Sequence, residues 1–438
     1  MVRRRVLAAG CAAAALTAGV LVPANVASAT ESVAGAHQHA SRYAKVGYFT
    51  QWGIYARGFH VKDLATSGSA GRMTTLNYAF GNVNAAGLCA SADPWADWQV
   101  PFTADQTVDG TADVAGQPLS GNFNQLRELK RKFPNLKIQI SLGGWTLSKY
   151  FSDAVLTDAS RQQLAASCID MFIKGNLPGA APGAAAGVFD GIDFDWEWPG
   201  SEGNVGNVIR PEDKQNFTLM LREFRRQLDA YGRTTRTHYS TTAFLSASPA
   251  KIGSAYEVRK VFAALDFATV QGYDMHGSWE TVTNHQSALR PPAGEPQSPD
   301  FTVSRAVNTL ISQGAPRGKI VVGVPFYSYG WTSLASTANH GLFQTSAAPA
   351  PGSAVPGLED YRNLKALPST GFIVYRDRRA GFSWLFNGTT FWTFDDPTVM
   401  SWKTDYVRDQ HLGGAMAWSL DADDAQGSLM AALAHGLR

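Results

Sequence analysis

The stretch Gly187-Val188-Phe189-Asp190-Gly191-Ile192-Asp193-Phe194-Asp195-Trp196-Glu197 decides the fold. From Ile192 onward apolar and acidic residues alternate, the two-residue period of a strand. Asp193, Asp195 and Glu197 therefore share one face. Ile192, Phe194 and Trp196 share the other, so Trp196 reads as core. Asp190 has the opposite parity to the three acids and reads as structural. A strand with a large apolar face and three acids on the other suits a barrel whose interior holds the acids.

Outward from residues 187–196, seven more β-rich runs recur at 44–49, 75–80, 137–142, 238–247, 267–273, 319–325 and 414–420. Helical stretches separate them. Phe217, Leu221, Phe224 and Leu228 fall at i, i+4, i+7 and i+11, one apolar helical stripe. Residues 304–312 and 428–437 read as two more helices. Eight strands alternating with helices predict an α/β fold, a (β/α)8 TIM barrel, spanning 43–438. Two connections are too long to be simple loops. Residues 81–121 form a polar, Gly-rich excursion carrying Trp95 and Trp98. Residues 332–406 hold apolar pieces of their own, Phe372-Ile373-Val374-Tyr375 and Thr390-Phe391-Trp392-Thr393-Phe394. The second is read as a small inserted α+β subdomain between strand 7 and helix 7. Both follow a strand, which puts both on the C-terminal face where barrel enzymes carry their sites.

Composition agrees with one folded catalytic unit. The chain has 438 residues, 45% hydrophobic and 17% charged, which excludes a disordered protein. Lys and Arg minus Asp and Glu is 38 − 36 = +2, no basis for a nucleic-acid surface. Twelve Trp suit a surface that stacks on flat ligands, or simply a packed core. Arg3, Arg4 and Arg5, an apolar run from Val6 to Val22 and Ala27-Ser28-Ala29 make a signal peptide over 1–29. A membrane helix is the other reading, but the run is short and Pro23 closes it. Residues 30–42 are a polar leader, and the expected product is secreted, with no membrane contact once the signal is cut. Export by the general or the twin-arginine route is left open. Removing three Arg takes the charge to +2 − 3 = −1, and removing Cys11 leaves Cys89 and Cys168. In an exported chain these either pair or stay as two separate thiols. No Cys or His cluster has metal-ligand spacing.

Three carboxylates on one inward face cannot all ionise freely. Some member holds a proton near neutral pH, as a general acid must. Glu197, last in the series and nearest the open face, is placed to reach a substrate. A solvated acidic turn and a divalent-cation site are the other readings of the octet.

Four motifs then converge. Asp190 to Glu197 has the form D-x-x-D-x-D-x-E; Ser141-Leu142-Gly143-Gly144 has the form S-x-G-G; Gln271-Gly272-Tyr273-Asp274 approximates M-x-Y-D; and Ala417-Trp418-Ser419 places a Trp on the last strand. In this order and on these strands the chain resembles glycoside hydrolase family 18, the chitinases, in the form secreted by actinobacteria such as Streptomyces. The insertion resembles the chitin-insertion domain of deep-groove members.

The resemblance implies hydrolysis of β-1,4 linkages between N-acetylglucosamine units, in chitin and chito-oligosaccharides, with retention and with the substrate's acetamido oxygen as nucleophile. It implies Glu197 as general acid and base, Asp195 orienting the acetamido N–H, Asp193 paired with Asp195, and Tyr273 supporting the acetamido carbonyl. Trp418 becomes the sugar floor, and Asp274 holds the sugar. Gln271, Tyr48, Phe80, Trp145, Trp279 and Tyr327 become candidate substrate-binding residues, and Trp52 a further groove candidate. No cofactor and no metal are implied, and a monomer is expected. Two positions depart from the pattern: Gln271 replaces the usual Met, and Tyr329 stands where many relatives carry Arg. An endo-β-N-acetylglucosaminidase acting on N-glycan cores shares the signature and is the alternative enzyme. A non-catalytic chitin-binding lectin is the alternative binder, although such lectins usually lose the acid at the position of Glu197.

Overall fold

The computed structural model describes residues 42–298 and 301–438. The proposed signal peptide and nearly all of the 30–42 leader lie outside the described residues. Eight parallel strands form a closed ring: β1 Ala44–Thr50, β2 Thr75–Val83, β3 Lys137–Gly143, β4 Gly191–Asp195, β5 Ser240–Leu245, β6 Phe267–Val270, β7 Ile320–Pro325 and β8 Gly414–Trp418. Each pairs with its neighbour in sequence, and β1 closes the ring by pairing with both β2 and β8. This is the (β/α)8 barrel that the alternation predicts.

The two faces of β4 separate as its pattern requires. Ile192 and Phe194 point outward and are fully buried. The Phe194 ring meets Phe224 edge-on at 4.7 Å. Phe224 belongs to the helix Asp213–Thr235, whose stripe Phe217, Leu221, Phe224 and Leu228 is buried. Helices Val303–Ser312 and Ser428–Gly436 occupy the other two predicted segments. Trp196 is core, stacked on Phe151 at 5.3 Å.

The 81–121 excursion begins as an extension of β2, which pairs antiparallel with Cys89–Ser91. Cys89 is disulfide-bonded to Cys168, at the end of the helix Asp158–Cys168. Of the two readings open for these cysteines, the structure has the pair. Within the excursion Trp98 is buried in the core and Trp95 is half exposed.

The second long connection is an antiparallel sheet with strand order Ser346–Pro349, Tyr327–Leu334, Thr390–Thr393, Phe382–Phe386, Ile373–Asp377; Leu358–Asp360 also pairs with Tyr327–Leu334. Its core includes Trp331, Leu342, Phe382, Trp384, Phe386 and Phe391. The sheet starts at Tyr327, earlier than the expected 332, because only Phe326 separates β7 from the first strand of the insertion. It ends at Thr393. The expected limit was about 406; Pro397–Asp409 is a helix capped by Asp396, and its Met400, Tyr406 and Val407 join the main core with Leu429 and Leu433. Among the described residues no helix is long and apolar enough to cross a membrane.

Candidate active site

The C-terminal ends of the strands open into a cleft of about 740 Å³. Its lining includes Asp195, Glu197, Gln271, Tyr273, Asp274 and Trp418, with Trp52, Phe80, Trp145 and Trp279 as further aromatic walls. All of these were expected there from sequence.

The carboxylates stack up the inside of the barrel. Asp193 is deepest and fully buried. Tyr48 Oη donates to its Oδ2 at 2.6 Å, Ser141 Oγ to the same oxygen at 2.8 Å, and Thr242 Oγ1 to its Oδ1 at 2.6 Å. Hydroxyls occupy the lone pairs that a metal ion would need, so this carboxylate is built to accept hydrogen bonds, not to ligate a cation. Burial raises its pKa, and the three donors oppose that rise. Asp195 sits above and is hydrogen-bonded to Glu197. Burial pushes the Asp195 pKa well up, and the charges of Glu197 and Asp193 push it further. Its Oδ1 is buried with no partner. Glu197 is pushed up to about 8, first by burial and then by the charge of Asp274. The hydrogen bond from Asp195 and the charge of Lys251 act in the opposite direction. The result is a pair of adjacent acids that holds a proton at neutral pH.

The Ser-x-Gly-Gly segment explains how this geometry is held. Ser141 serves Asp193 directly. Gly143 has φ +110°, and a Cβ there would lie 2.3 Å from the Asp195 carbonyl oxygen. Gly144 has φ +80°, donates its N–H to the same oxygen at 2.7 Å, and leaves room for the Phe80 ring. Only glycine meets both demands. Ser148 continues the brace: its hydroxyl donates to Gly144 O at 2.8 Å and accepts from Glu197 N–H at 2.9 Å. Asn207 Nδ2 donates to Glu197 O at 2.9 Å.

Aromatic rings frame the acids on two sides. Trp418 lies 5.7 Å from Phe80, stacked, and 6.5 Å from Trp52. Opposite, Trp198 stacks on Phe244 at 5.7 Å and Phe244 on Tyr273 at 6.0 Å. Trp279 meets Tyr329 edge-on at 4.9 Å. Trp145 and Trp279 are about half exposed. Asp274 takes a left-handed φ of +57° and accepts hydrogen bonds from Tyr327, Tyr329 and Gln271.

Three assignments need correction. Tyr48 does not line the cleft; it is buried beneath Trp418, and its hydroxyl serves Asp193. Tyr327 is also behind the wall, bonded to Asp274, and of the two tyrosines on that strand Tyr329 is the one that lines the cleft. Asp193 is bonded to hydroxyls, while the hydrogen-bond partner of Asp195 is Glu197. The reach of side chains across the barrel decides each of these, and strand parity does not carry that distance. Sequence reasoning also missed Trp198, Phe244, Ser246, Ser248, Lys251 and Phe301 in the lining. Phe244 had a signal: it shares the inward parity of Thr242.

The sequence profile "Glycosyl hydrolases family 18" matches residues 44–423. The chain is similar to chitinase C of Streptomyces lividans, 39% identical over 389 residues, covering 87% of this chain and 58% of the relative. Chitinase 63 of Streptomyces plicatus is 38% identical over 400 residues, covering 90% and 60%. The chain thus spans about three-fifths of the length of these curated relatives. Among solved structures, the catalytic domain of psychrophilic chitinase B from Arthrobacter TAD20 matches with TM-score 0.86 and 41% identity, over 91% of this chain and 95% of that one. With the profile covering nearly the whole barrel, whose strands carry the acids in the order the signature requires, the chain belongs to the glycosyl hydrolases of family 18.

Proposed function

We propose that this chain is a secreted, monomeric chitinase that hydrolyses β-1,4 bonds between N-acetylglucosamine units with retention. One observation carries the reading: Asp195 and Glu197 are hydrogen-bonded to each other at the floor of an aromatic-walled cleft. Retaining enzymes with a carboxylate nucleophile hold their two acids about 5–5.5 Å apart, with the sugar between them. A pair in direct contact leaves no such gap, so the nucleophile has to come from the substrate. The export reading rests on residues 1–29.

In the proposed cycle Glu197 gives its proton to the glycosidic oxygen. The C1–O bond breaks as the acetamido oxygen bonds to C1, forming an oxazolinium ion. Asp195, turned toward the acetamido N–H, accepts its hydrogen bond and offsets the developing positive charge. Asp193 supplies a fixed charge below it. Tyr273 faces the acetamido carbonyl from the opposite wall, and Trp418 carries the apolar face of the sugar. Asp274 holds a sugar hydroxyl. A water then attacks C1 and loses a proton to Glu197, and the acetamido group is restored. The product keeps the β configuration.

The test is incubation of the protein with N-acetylglucosamine pentamer and early anomer-resolved product analysis, with Glu197→Gln alongside. Short oligomers appearing first as the β anomer, and only with intact Glu197, meet the proposal. Cleavage giving the α anomer, or binding with no cleavage, defeats it.

A further inference from the structure

Of the charged residues that line the cleft, one has no role in the mechanism above, Lys251. It lies in the helix Pro249–Ala255, whose N-cap Ser248 accepts from Lys251 N–H. Its side chain lines the cleft beside Glu197, Trp198, Ser246 and Ser248. The ammonium sits over the Trp198 ring at 5.7 Å and donates to the Glu202 backbone carbonyl at 2.6 Å. Among the described residues no carboxylate lies within ion-pair distance of it; the fields of Glu197 and Glu202 reach it from farther away. Half-buried, it pays a desolvation cost that lowers its pKa.

Fully acetylated chitin is neutral along its length, so the cleft needs no cation merely to attract it. A cation does separate two sugars of the same shape. The ammonium has three N–H donors, and one is engaged by Glu202. The others can donate to the carbonyl of an N-acetyl group. Against a free 2-amino group, protonated in mildly acidic solution, the same ammonium is repulsive. When Glu197 carries its proton, the nearest acid that could mask that repulsion is neutral. Attraction to one sugar and repulsion of the other are the two halves of a specificity device.

We propose that Lys251 selects N-acetylated over free-amine (glucosamine) sugars at the position beside Trp198. This rests on the chitinase reading for its biological meaning, though not for its test. The experiment measures binding of N-acetylglucosamine hexamer and glucosamine hexamer by calorimetry at mildly acidic pH, where the free amines are protonated. The protein is the full chain carrying Glu197→Gln, which removes turnover, alone and combined with Lys251→Gln or Lys251→Arg. Gln keeps a donor for the Glu202 carbonyl without the charge; Arg keeps the charge. The ratio of the two Kd values is expected to narrow by about tenfold with Lys251→Gln, as for one unit charge acting across roughly a sugar's width. With Lys251→Arg the ratio is expected to stay close to the parent's. An unchanged ratio in Lys251→Gln overturns the proposal, and so does an equal narrowing in both variants, which would mark Lys251 as a tether for the Glu202 loop. Failure of the unmutated chain to cleave the acetylated hexamer counts against the chitinase reading alone, because the binding ratio does not depend on turnover.

Discussion

Asp195 and Glu197, two residues apart in sequence, are hydrogen-bonded to each other in a site where burial raises the pKa of both. Two buried acids in contact titrate as a pair, and the second proton to leave must do so against the charge left by the first. A proton held by this pair near neutral pH is what the proposed general acid requires.

Replacing Glu197 by Gln removes the proton donor while keeping the shape. Turnover of chito-oligosaccharides is expected to fall by roughly 10²–10⁴-fold, the usual contribution of general acid catalysis, with binding retained. The fold should gain. The Glu197 pKa rises from 4.5 to about 8 on folding, so the native state holds a proton that the unfolded chain has released. Stability is then lost as pH rises through that window. Gln does not titrate. The variant's melting temperature should exceed the parent's by a growing margin from pH 5 to pH 8, and a margin that shrinks over that range would contradict the assignment.

The same value sets the basic limb of the activity profile. Glu197 must be protonated to act, so the rate should fall about tenfold per unit above about pH 8. Asp195 and Asp274 flank Glu197 as acids and Lys251 as a cation, and Lys251 holds its pKa down. Lys251→Gln should therefore move the basic limb to higher pH. A shift to lower pH in kcat against pH would refute that electrostatic reading.

The barrel was legible because its signal is periodic. Eight apolar strand runs alternate with helical stripes, and Ile192 and Phe194 pack outward as parity demands. The acids were legible for the same reason, since alternate residues of one strand share a face. What escaped was set by reach across space. Tyr48 and Tyr327 are bulky aromatics at strand ends, and nothing local says whether a ring meets solvent or a neighbour's carboxylate. Each turned out to donate to an acid. Lys251 lies on a short helix after β5, and only the barrel's closure brings it beside Glu197. The far limit of the subdomain was hard to place because Phe391 packs in the insertion's core while Trp392, Phe394 and the helix after Asp396 join the main core.

Tyr48→Phe tests the support under the ladder. It deletes one of three hydroxyl donors to Asp193 and nothing that touches the cleft. A buried acceptor left short of a donor costs about 1–3 kcal/mol, which denaturant midpoints can read. The lost donor had held the Asp193 pKa down, so that pKa should rise further. As Asp193 protonates, the fixed charge beneath Asp195 is lost and kcat should fall, while KM changes little. A change confined to KM would place Tyr48 on the substrate after all.

The disulfide gives a prediction that leaves the chemistry aside. Cys89 and Cys168 are 79 residues apart in sequence, and neither lines the cleft. Closing a loop of that length removes unfolded-state entropy equivalent to about 4.5 kcal/mol at 25 °C in the chain-entropy model. The loop encloses β3 and the Ser-x-Gly-Gly segment, so the crosslink restrains the chain that braces Asp195 and Glu197 without touching either acid. Cys89→Ser combined with Cys168→Ser should lower the unfolding midpoint by that order at unchanged denaturant slope, while kcat at 25 °C stays within about twofold. Equal midpoints for the parent and the double variant under oxidising conditions would show that the bond contributes no net stability. A large loss of kcat with an unchanged midpoint would mean that the crosslink shapes the site itself.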